Sequence, residues 1–309
     1  MRRVWHLNFD ADDELALARG PANGPRPSGR ATAQHEQRLL RLRLAVSALV
    51  GRDELFDETG IVSHPEGMVG YTFMPTPRAL ETLARAGVRT KKAPSLEVLR
   101  RANDRALSSA LGVALPGATY VTDLADAAAA VARVSVTGTW LLKRSFGFAG
   151  RGSKRVTSGE WPGDVFAFVR NSLERGGGLE ITPWVSRSSD FALHGFLTEA
   201  GTYVEGTPTR QHCDRFGQWE RTSRASVGPE GELSEVEAEA LSLALREAAV
   251  SLRSVGYFGP FGIDGFRYAL PDGSVHFCPR CEINARYTMG WAIGMGDLRP
   301  DLTDEEAGA

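Results

Sequence analysis

The sequence predicts an α/β fold with an α+β portion, arranged as about two domains. Three observations carry that expectation. At 309 residues the chain can bury a large core, and its length favours about two domains over one. Strand, helix and strand signals alternate through Thr119–Val121, the alanine-rich run 124–134 and Trp140–Lys143. Further on, two apolar runs, Phe261–Tyr268 and Val275–Asn284, flank Pro271, Asp272 and Gly273, whose backbone preferences favour a tight turn.

Taken in order, Val4 to Phe9 reads as a short strand, followed by an acidic helical stretch and a Pro/Gly-rich loop from Gly20 to Arg30. Apolar spacing over 31–50 predicts an amphipathic helix with an arginine-rich outer face. Pro77 to Ala86 predicts a helix started by proline, whose fixed φ suits a first turn, and closed by Gly87. Ser95 to Leu111 predicts one helix, stopped at Gly112 and Pro116. Asp164–Leu173 reads as a helix, Leu179–Val185 as a strand, and Asp190–Glu205 as a hairpin turning at Glu199, Ala200, Gly201 and Thr202. Ser234 and Glu237 have the spacing at which two side chains reciprocally satisfy open backbone N–H groups of a first turn, so a long helix to about Ser254 should follow. No internal repeat interrupts this order.

Composition narrows the function. Hydrophobic residues at 42% and charged residues at 24% describe a globular chain rather than a disordered one. A formal charge of -2 leaves no basic excess to neutralise phosphate backbones or anionic lipid, so neither nucleic acid nor membrane is an expected partner. Arg2 and Arg3 lead into Asp10, Asp12, Asp13 and Glu14 with no apolar signal-peptide core, and no run reaches membrane-spanning length. Three cysteines fit a reducing compartment, so a cytoplasmic location is expected. Of 36 basic side chains only Lys91, Lys92, Lys143 and Lys154 are lysine, and two of these fall in one glycine-rich segment. An ammonium does not replace a guanidinium fork, which makes those two positions informative.

The C-terminal hairpin is the most specific feature. Alternate side chains of a strand share a face, so Arg280, Glu282 and Asn284 should point together, with Asp264 beside them on the partner strand. Two carboxylates and an amide oxygen are hard ligands of the kind Mg²⁺ takes alongside nucleotide phosphates. Arg286, just past the strand, is placed to brace the same phosphates. The competing reading is a salt-bridged sheet surface, which is the commoner meaning of an isolated Glu-x-Asn.

A second segment supplies company. Trp140-Leu141-Leu142-Lys143-Arg144-Ser145 runs directly into Phe146-Gly147-Phe148-Ala149-Gly150-Arg151-Gly152-Ser153. Glycines let backbone N–H groups approach phosphate closely while the lysine offsets its charge. No Gly-Lys-Ser/Thr ends the loop, so it is not a Walker A motif, and no helix clearly opens after its third glycine as a dinucleotide fingerprint requires. On its own the segment reads equally well as a structural hairpin. Glu180-Ile181-Thr182-Pro183-Trp184-Val185, with Asp190 shortly after, could offer backbone groups to an adenine edge and a carboxylate to a ribose. Pro183 lacks an N–H, which leaves a neighbour such as Trp184 as the donor. Alone, this too reads as a core strand.

In combination, these features resemble the ATP-grasp superfamily: a lysine strand with a glycine-rich loop, a strand-end linker, a long helix, Asp264, and Glu282-Ile283-Asn284-Ala285-Arg286. The resemblance covers roughly residues 95–295. It implies an ATP-grasp domain over 95–309, with a small lid subdomain at about 136–184, preceded by an N-terminal α/β domain over 1–94. It also implies ATP and Mg²⁺ as cofactors. Arg105 would stand at an early ATP-contacting position where lysine is more usual. Lys143 would touch the α- or β-phosphate, and the loop from Ser145 through Gly147 and Gly150 to Gly152 would fold over the triphosphate. Thr182 to Val185, including Trp184, would form the adenine hinge, and Asp190 would reach the ribose. Asp264, Glu282 and Asn284 would hold the metal, with Arg286 near the γ-phosphate. Thr182 and Pro183 depart from the acidic residue common at the hinge.

The resemblance further implies an ADP-forming ligase that activates a small-molecule carboxylate as an acylphosphate for attack by an amine or similar nucleophile. A kinase acting on a small-molecule hydroxyl and an inactive ATP-binding protein are the alternatives. His194, Arg210 and His212 fall where such enzymes place acceptor-binding groups, and each is equally readable as an ordinary hydrogen-bonded residue. Cys278 and Cys281 match Cys-x-x-Cys, but residues three apart on a strand face opposite sides, so both thiols reach one metal only if Pro279 breaks the strand into a turn, and no second pair completes a metal site. Cys213 beside His212 matches no recognisable protease signature. A homodimer is expected only because symmetric dimers are common.

Overall fold

A computed structural model describes residues 2–17, 46–56, 62, 64–112, 114–147, 152–213 and 219–303. The expected loop 20–30, Gly150 and most of the expected helix 31–50 lie outside the described residues. The end of that last stretch forms the short helix Ser47–Val50. Among the described residues, no helix is long and apolar enough to cross a membrane.

Three sheets organise the chain. The first contains β1 (Arg2–His6), β2 (Glu54–Leu55), β3 (Met68–Thr72) and β4 (Arg89–Thr90), all parallel, in the order β2-β1-β3-β4. Parallel strands are covered on both faces, and every residue of β3 is buried accordingly. One face packs Val4 and Met68 on Leu83 of the helix Pro77–Arg85. The other packs Trp5, Tyr71 and Phe73 on Tyr287 and Trp291. This first sheet therefore shares its core with the segment that follows the last strand.

The second sheet contains β5 (Thr119–Val121), β6 (Thr139–Arg144), β7 (Ser153–Thr157) and β8 (Leu179–Pro183), antiparallel, in the order β5-β8-β6-β7. Its period of two divides the work. Trp140, Leu142, Leu179 and Ile181 pack on the helices Leu124–Ala132 and Gly163–Gly176. Leu141, Lys143, Glu180 and Thr182 instead line a cavity.

The third sheet contains β9 (Ser186–Leu197), β10 (Tyr203–Glu205), β11 (Thr209–Cys213), β12 (Trp219–Arg224), β13 (Gly259–Ala269) and β14 (Val275–Asn284). Its order is β12-β11-β9-β13-β14, with β10 also paired to β9. The helix Glu235–Ser254 begins with the expected reciprocal Ser234–Glu237 cap. Its Leu241, Leu245, Ala248 and Leu252 bury one face of the sheet through Phe191, Leu193, Phe261 and Ile283. Strands β11 and β12 were not expected, because Thr-Arg-Gln-His-Cys and Trp-Glu-Arg-Thr-Ser-Arg carry no apolar alternation.

Two further departures from expectation matter for the site. The single helix expected over Ser95–Leu111 is two helices, Leu96–Asn103 and Arg105–Ala110. Asp104 breaks it in an extended conformation, its carboxylate accepting from the Ala106 N–H at 2.9 Å and the Tyr120 hydroxyl at 3.0 Å. A side chain that competes for backbone N–H groups caps the second helix better than it continues the first. In the C-terminal hairpin, Asp264 opposes Glu282 but Phe266 opposes Cys278, so β14 bulges by two residues. Gly265 is required there: a Cβ would lie 2.8 Å from the Cys278 carbonyl oxygen.

Candidate active site

Four elements bring cations and carboxylates together. Register places Lys143 of β6 opposite Glu180 of β8, and the ammonium donates to Glu180 Oε2 at 3.1 Å. The break at Asp104 starts a new helix at Arg105, which donates from Nη2 to Glu282 Oε1 at 2.8 Å and from Nε to the Arg144 carbonyl at 2.9 Å. Arg105 Nη1 stands 3.6 Å from Glu180 Oε2 and is buried with no hydrogen-bond partner. Such an orphaned donor beside a lysine is the chemistry an anionic ligand would complete. Glu180 was missed in the sequence, although its place two residues before Thr182 puts both on one strand face.

The acidic set is adjacent. Asp264 lies directly opposite Glu282. Its Oδ1 accepts from Gln211 Nε2 at 2.7 Å and its Oδ2 from Asn284 Nδ2 at 3.0 Å. Burial, with the Glu282 charge added, pushes the Asp264 carboxyl up to about 6. Burial works against ionised Glu282 as well, but the charges of Arg105, Lys143 and Arg286 hold its carboxyl below the usual range. A divalent cation would relieve the repulsion between these two carboxylates. Asp264, Glu282 and the amide oxygen of Asn284 are the residues able to hold it. Among the described residues no three acidic, His or Cys side chains cluster as metal ligands. Two carboxylates and an amide oxygen are hard donors of the kind a divalent cation takes together with phosphate oxygens or water.

Arg286 is anchored from two directions. Its Nη1 donates to Asn103 Oδ1 at 3.2 Å, and its Nη2 lies 3.6 Å from Asp12 Oδ2. Asp12 belongs to the helix Ala11–Leu17 that follows β1. A second cavity lies alongside, lined by Phe9, Asp10, Asp12, Asp13, Arg144, Phe146, Gly147 and Gly152. Gly147 and Gly152 of the glycine-rich loop thus face the acidic turn of that helix.

Several expected contacts are corrected by the geometry. Ser145 does not face the cleft: its hydroxyl is buried, 2.6 Å from the Tyr120 hydroxyl, and donates to the Gly178 carbonyl at 3.2 Å. The Trp184 N–H is not open to a nucleobase, because it extends the β6–β8 pairing by donating to the Thr139 carbonyl at 2.9 Å. The Arg155 guanidinium lies over the Trp184 indole, 3.5 Å from the ring centroid. Thr182, Trp184 and Val185 all line the first cavity, together with Lys143, Arg187 and Cys281. Asp190 lies 3.2 Å from Arg187 Nη1, an ion pair that ribose binding would have to share.

The expected acceptor face is corrected more strongly. Gln211 reaches Asp264, so its strand neighbours Arg210 and His212 project from the other face of β11. Arg210 donates there to Glu232 Oε1 at 2.8 Å, and His212 Nε2 lies 2.9 Å from the Ser223 hydroxyl. Choosing residues by type missed Gln211, which strand parity would have selected. His194 shares the Asp264 face but is 1% exposed, its ring enclosed by Gly262, Gly290 and Gly294. A Cβ on Gly294 would come within 2.5 Å of the His194 Nδ1. Cys278 and Cys281 do not face opposite sides. The bulge brings both into one apolar cluster with Leu115, Val185, Phe266 and Tyr268, where burial pushes both thiols up.

No protein-family model matches the sequence, and no curated protein matches it. The structure is similar to that of Rhizobium etli pyruvate carboxylase T882A, with a TM-score of 0.53 and 16% identity over 96% of this chain and 27% of that one. It is also similar to biotin carboxylase from Campylobacter jejuni, with a TM-score of 0.51 and 15% identity over 95% of this chain and 61% of that one. D-cycloserine synthetase DcsG matches over 94% of this chain and 96% of its own, with a TM-score of 0.48 and 17% identity. The chain has the ATP-grasp fold. It spans about a quarter of the pyruvate carboxylase chain and about three fifths of the biotin carboxylase chain.

Proposed function

We propose that the protein is an ADP-forming ligase that binds ATP with Mg²⁺ and activates a small-molecule carboxylate for attack by an amine or similar nucleophile. One observation carries the reading: Arg105, with an orphaned Nη1, links the Lys143–Glu180 pair to Glu282, which lies directly opposite Asp264. Under this reading the unit 1–94 precedes an ATP-grasp unit over 95–309, and about 136–184 forms its lid.

Carboxylates are poor electrophiles, so the γ-phosphoryl group passes to a substrate carboxylate oxygen and ADP leaves. The nucleophile then displaces inorganic phosphate from the acyl carbon. Asp264, Glu282 and the Asn284 amide oxygen would hold a divalent cation, which would offset the charge of the phosphates. Lys143 and Arg105 exchange part of their contact with Glu180 for phosphate oxygens. Arg286, fixed by Asn103 and Asp12, stabilises charge on the transferred group. Leu141, Thr182 and Val185 form the apolar wall that receives the base.

The test is a screen for ADP formation over pooled small carboxylates and amines, followed by ¹⁸O labelling of the active carboxylate. Transfer of ¹⁸O into released phosphate supports the ligase. ADP formation with a stable phosphorylated alcohol and no free phosphate would replace it with a kinase.

A further inference from the structure

We infer that the helix Glu235–Ser254 carries a self-association surface on which a second copy of this chain docks antiparallel. The inference is independent of the proposed chemistry, since it concerns the side of the helix turned away from the sheet.

That helix is apolar on two faces. Leu241, Leu245, Ala248 and Leu252 are spent on the sheet core. On the outer side Val236, Leu243 and Val250 are 76%, 53% and 72% exposed. Scattered exposed aliphatics are ordinary, but these three recur every seven residues, which aligns them in one stripe about 21 Å long. Leu243 sits at the midpoint of the stripe. An antiparallel pair with its two-fold axis at Leu243 therefore sets Leu243 on its own copy and Val236 on Val250 of the other.

The charges beside the stripe complement this arrangement. Glu239 and Arg246 are exposed and seven residues apart, so they flank the stripe on the same side. In the antiparallel pair, Glu239 of each copy comes beside Arg246 of the other, twice by symmetry. The opposite flank sets Glu247 against Ala240, with no like-charge pair. Three apolar layers on one helix bury less than the roughly 1,200 Å² of stable complexes, so the association is weak and concentration-dependent.

Sedimentation of the full chain between about 1 and 300 µM, a range that spans weak dissociation constants, tests it. The expected result is a monomer–dimer equilibrium that Leu243→Glu abolishes, with the far-ultraviolet circular dichroism spectrum unchanged. Arg246→Glu alone should weaken the dimer at least fivefold, and Glu239→Arg combined with Arg246→Glu should restore it. A wild-type chain that stays monomeric throughout, a dimer indifferent to Leu243→Glu, or a double reversal that fails to restore association would each overturn the inference.

Discussion

The Asn103 side-chain oxygen accepts two hydrogen bonds at once, from the Ala285 backbone N–H at 2.9 Å and from Arg286 Nη1 at 3.2 Å. Its Nδ2 donates back to the Leu99 and Ala285 carbonyls. One amide at the end of a short helix thus fixes both the backbone and the guanidinium where β14 leaves the sheet. The helix break at Asp104 follows immediately, and Arg105 turns towards Glu282 from the other side.

Replacing Asn103 with Ala leaves the Ala285 N–H buried without its acceptor, which costs about 1–3 kcal/mol of stability. Under the proposed mechanism turnover should fall more than tenfold while ATP affinity changes less than threefold. Thermal unfolding and single-turnover kinetics on the same preparation check this. Equal losses in affinity and turnover would mean that Asn103 serves the fold alone.

Gln211 holds one oxygen of Asp264 and touches no other proposed ligand. Partners that orient metal ligands typically affect affinity by about 10- to 100-fold. Gln211→Leu should therefore weaken Mg²⁺-dependent nucleotide binding by at least tenfold, whereas Arg210→Ala, on the other face, should leave it within about twofold. Titrations of both variants separate the faces of β11.

Arg105 spans the Arg144 carbonyl, Glu180 and Glu282 with three different nitrogens. A lysine cannot reproduce that fork. Arg105→Lys should retain the fold yet lose more than tenfold in ATP affinity. Wild-type affinity in this variant would show that only the positive charge matters.

His194 gives a pH signature of its own. Burial lowers its pKa from 6.5 to about 3, so between those values the unfolded chain binds a proton that the folded protein does not. Its contribution to stability is complete above about 6.5 and is lost as pH falls towards 3, with a limiting slope near 1.4 kcal/mol per pH unit. Urea unfolding from pH 7 to 4 should show a shallower acid limb in His194→Gln than in the wild type.

The reach of the sequence can be judged from particular residues. The long capped helix, the C-terminal hairpin and the lysine strand were legible because each has a local periodicity or turn signal that no distant contact reverses. Strands β11 and β12 were not, since polar residues line both of their faces and the pairing with β9 decides their state. The Cys278–Cys281 parity failed for a related reason: a bulge opposite Gly265 is set by the partner strand, not by the run that contains it. Residue type alone pointed to Arg210 and His212, while the side chain that reaches Asp264 is the uncharged Gln211 between them. Glu180 went unnoticed because its partners, Lys143 and Arg105, come from two other elements.

We propose that Asp264, Glu282 and Asn284 hold a metal that ATP binding requires. Isothermal titration with ATP, with and without Mg²⁺, on the wild type and on Glu282→Ala tests it most directly. Mg²⁺-dependent binding is expected in the wild type and lost in the variant, which remains folded. Binding of equal strength in both proteins, or none in the wild type, would contradict it.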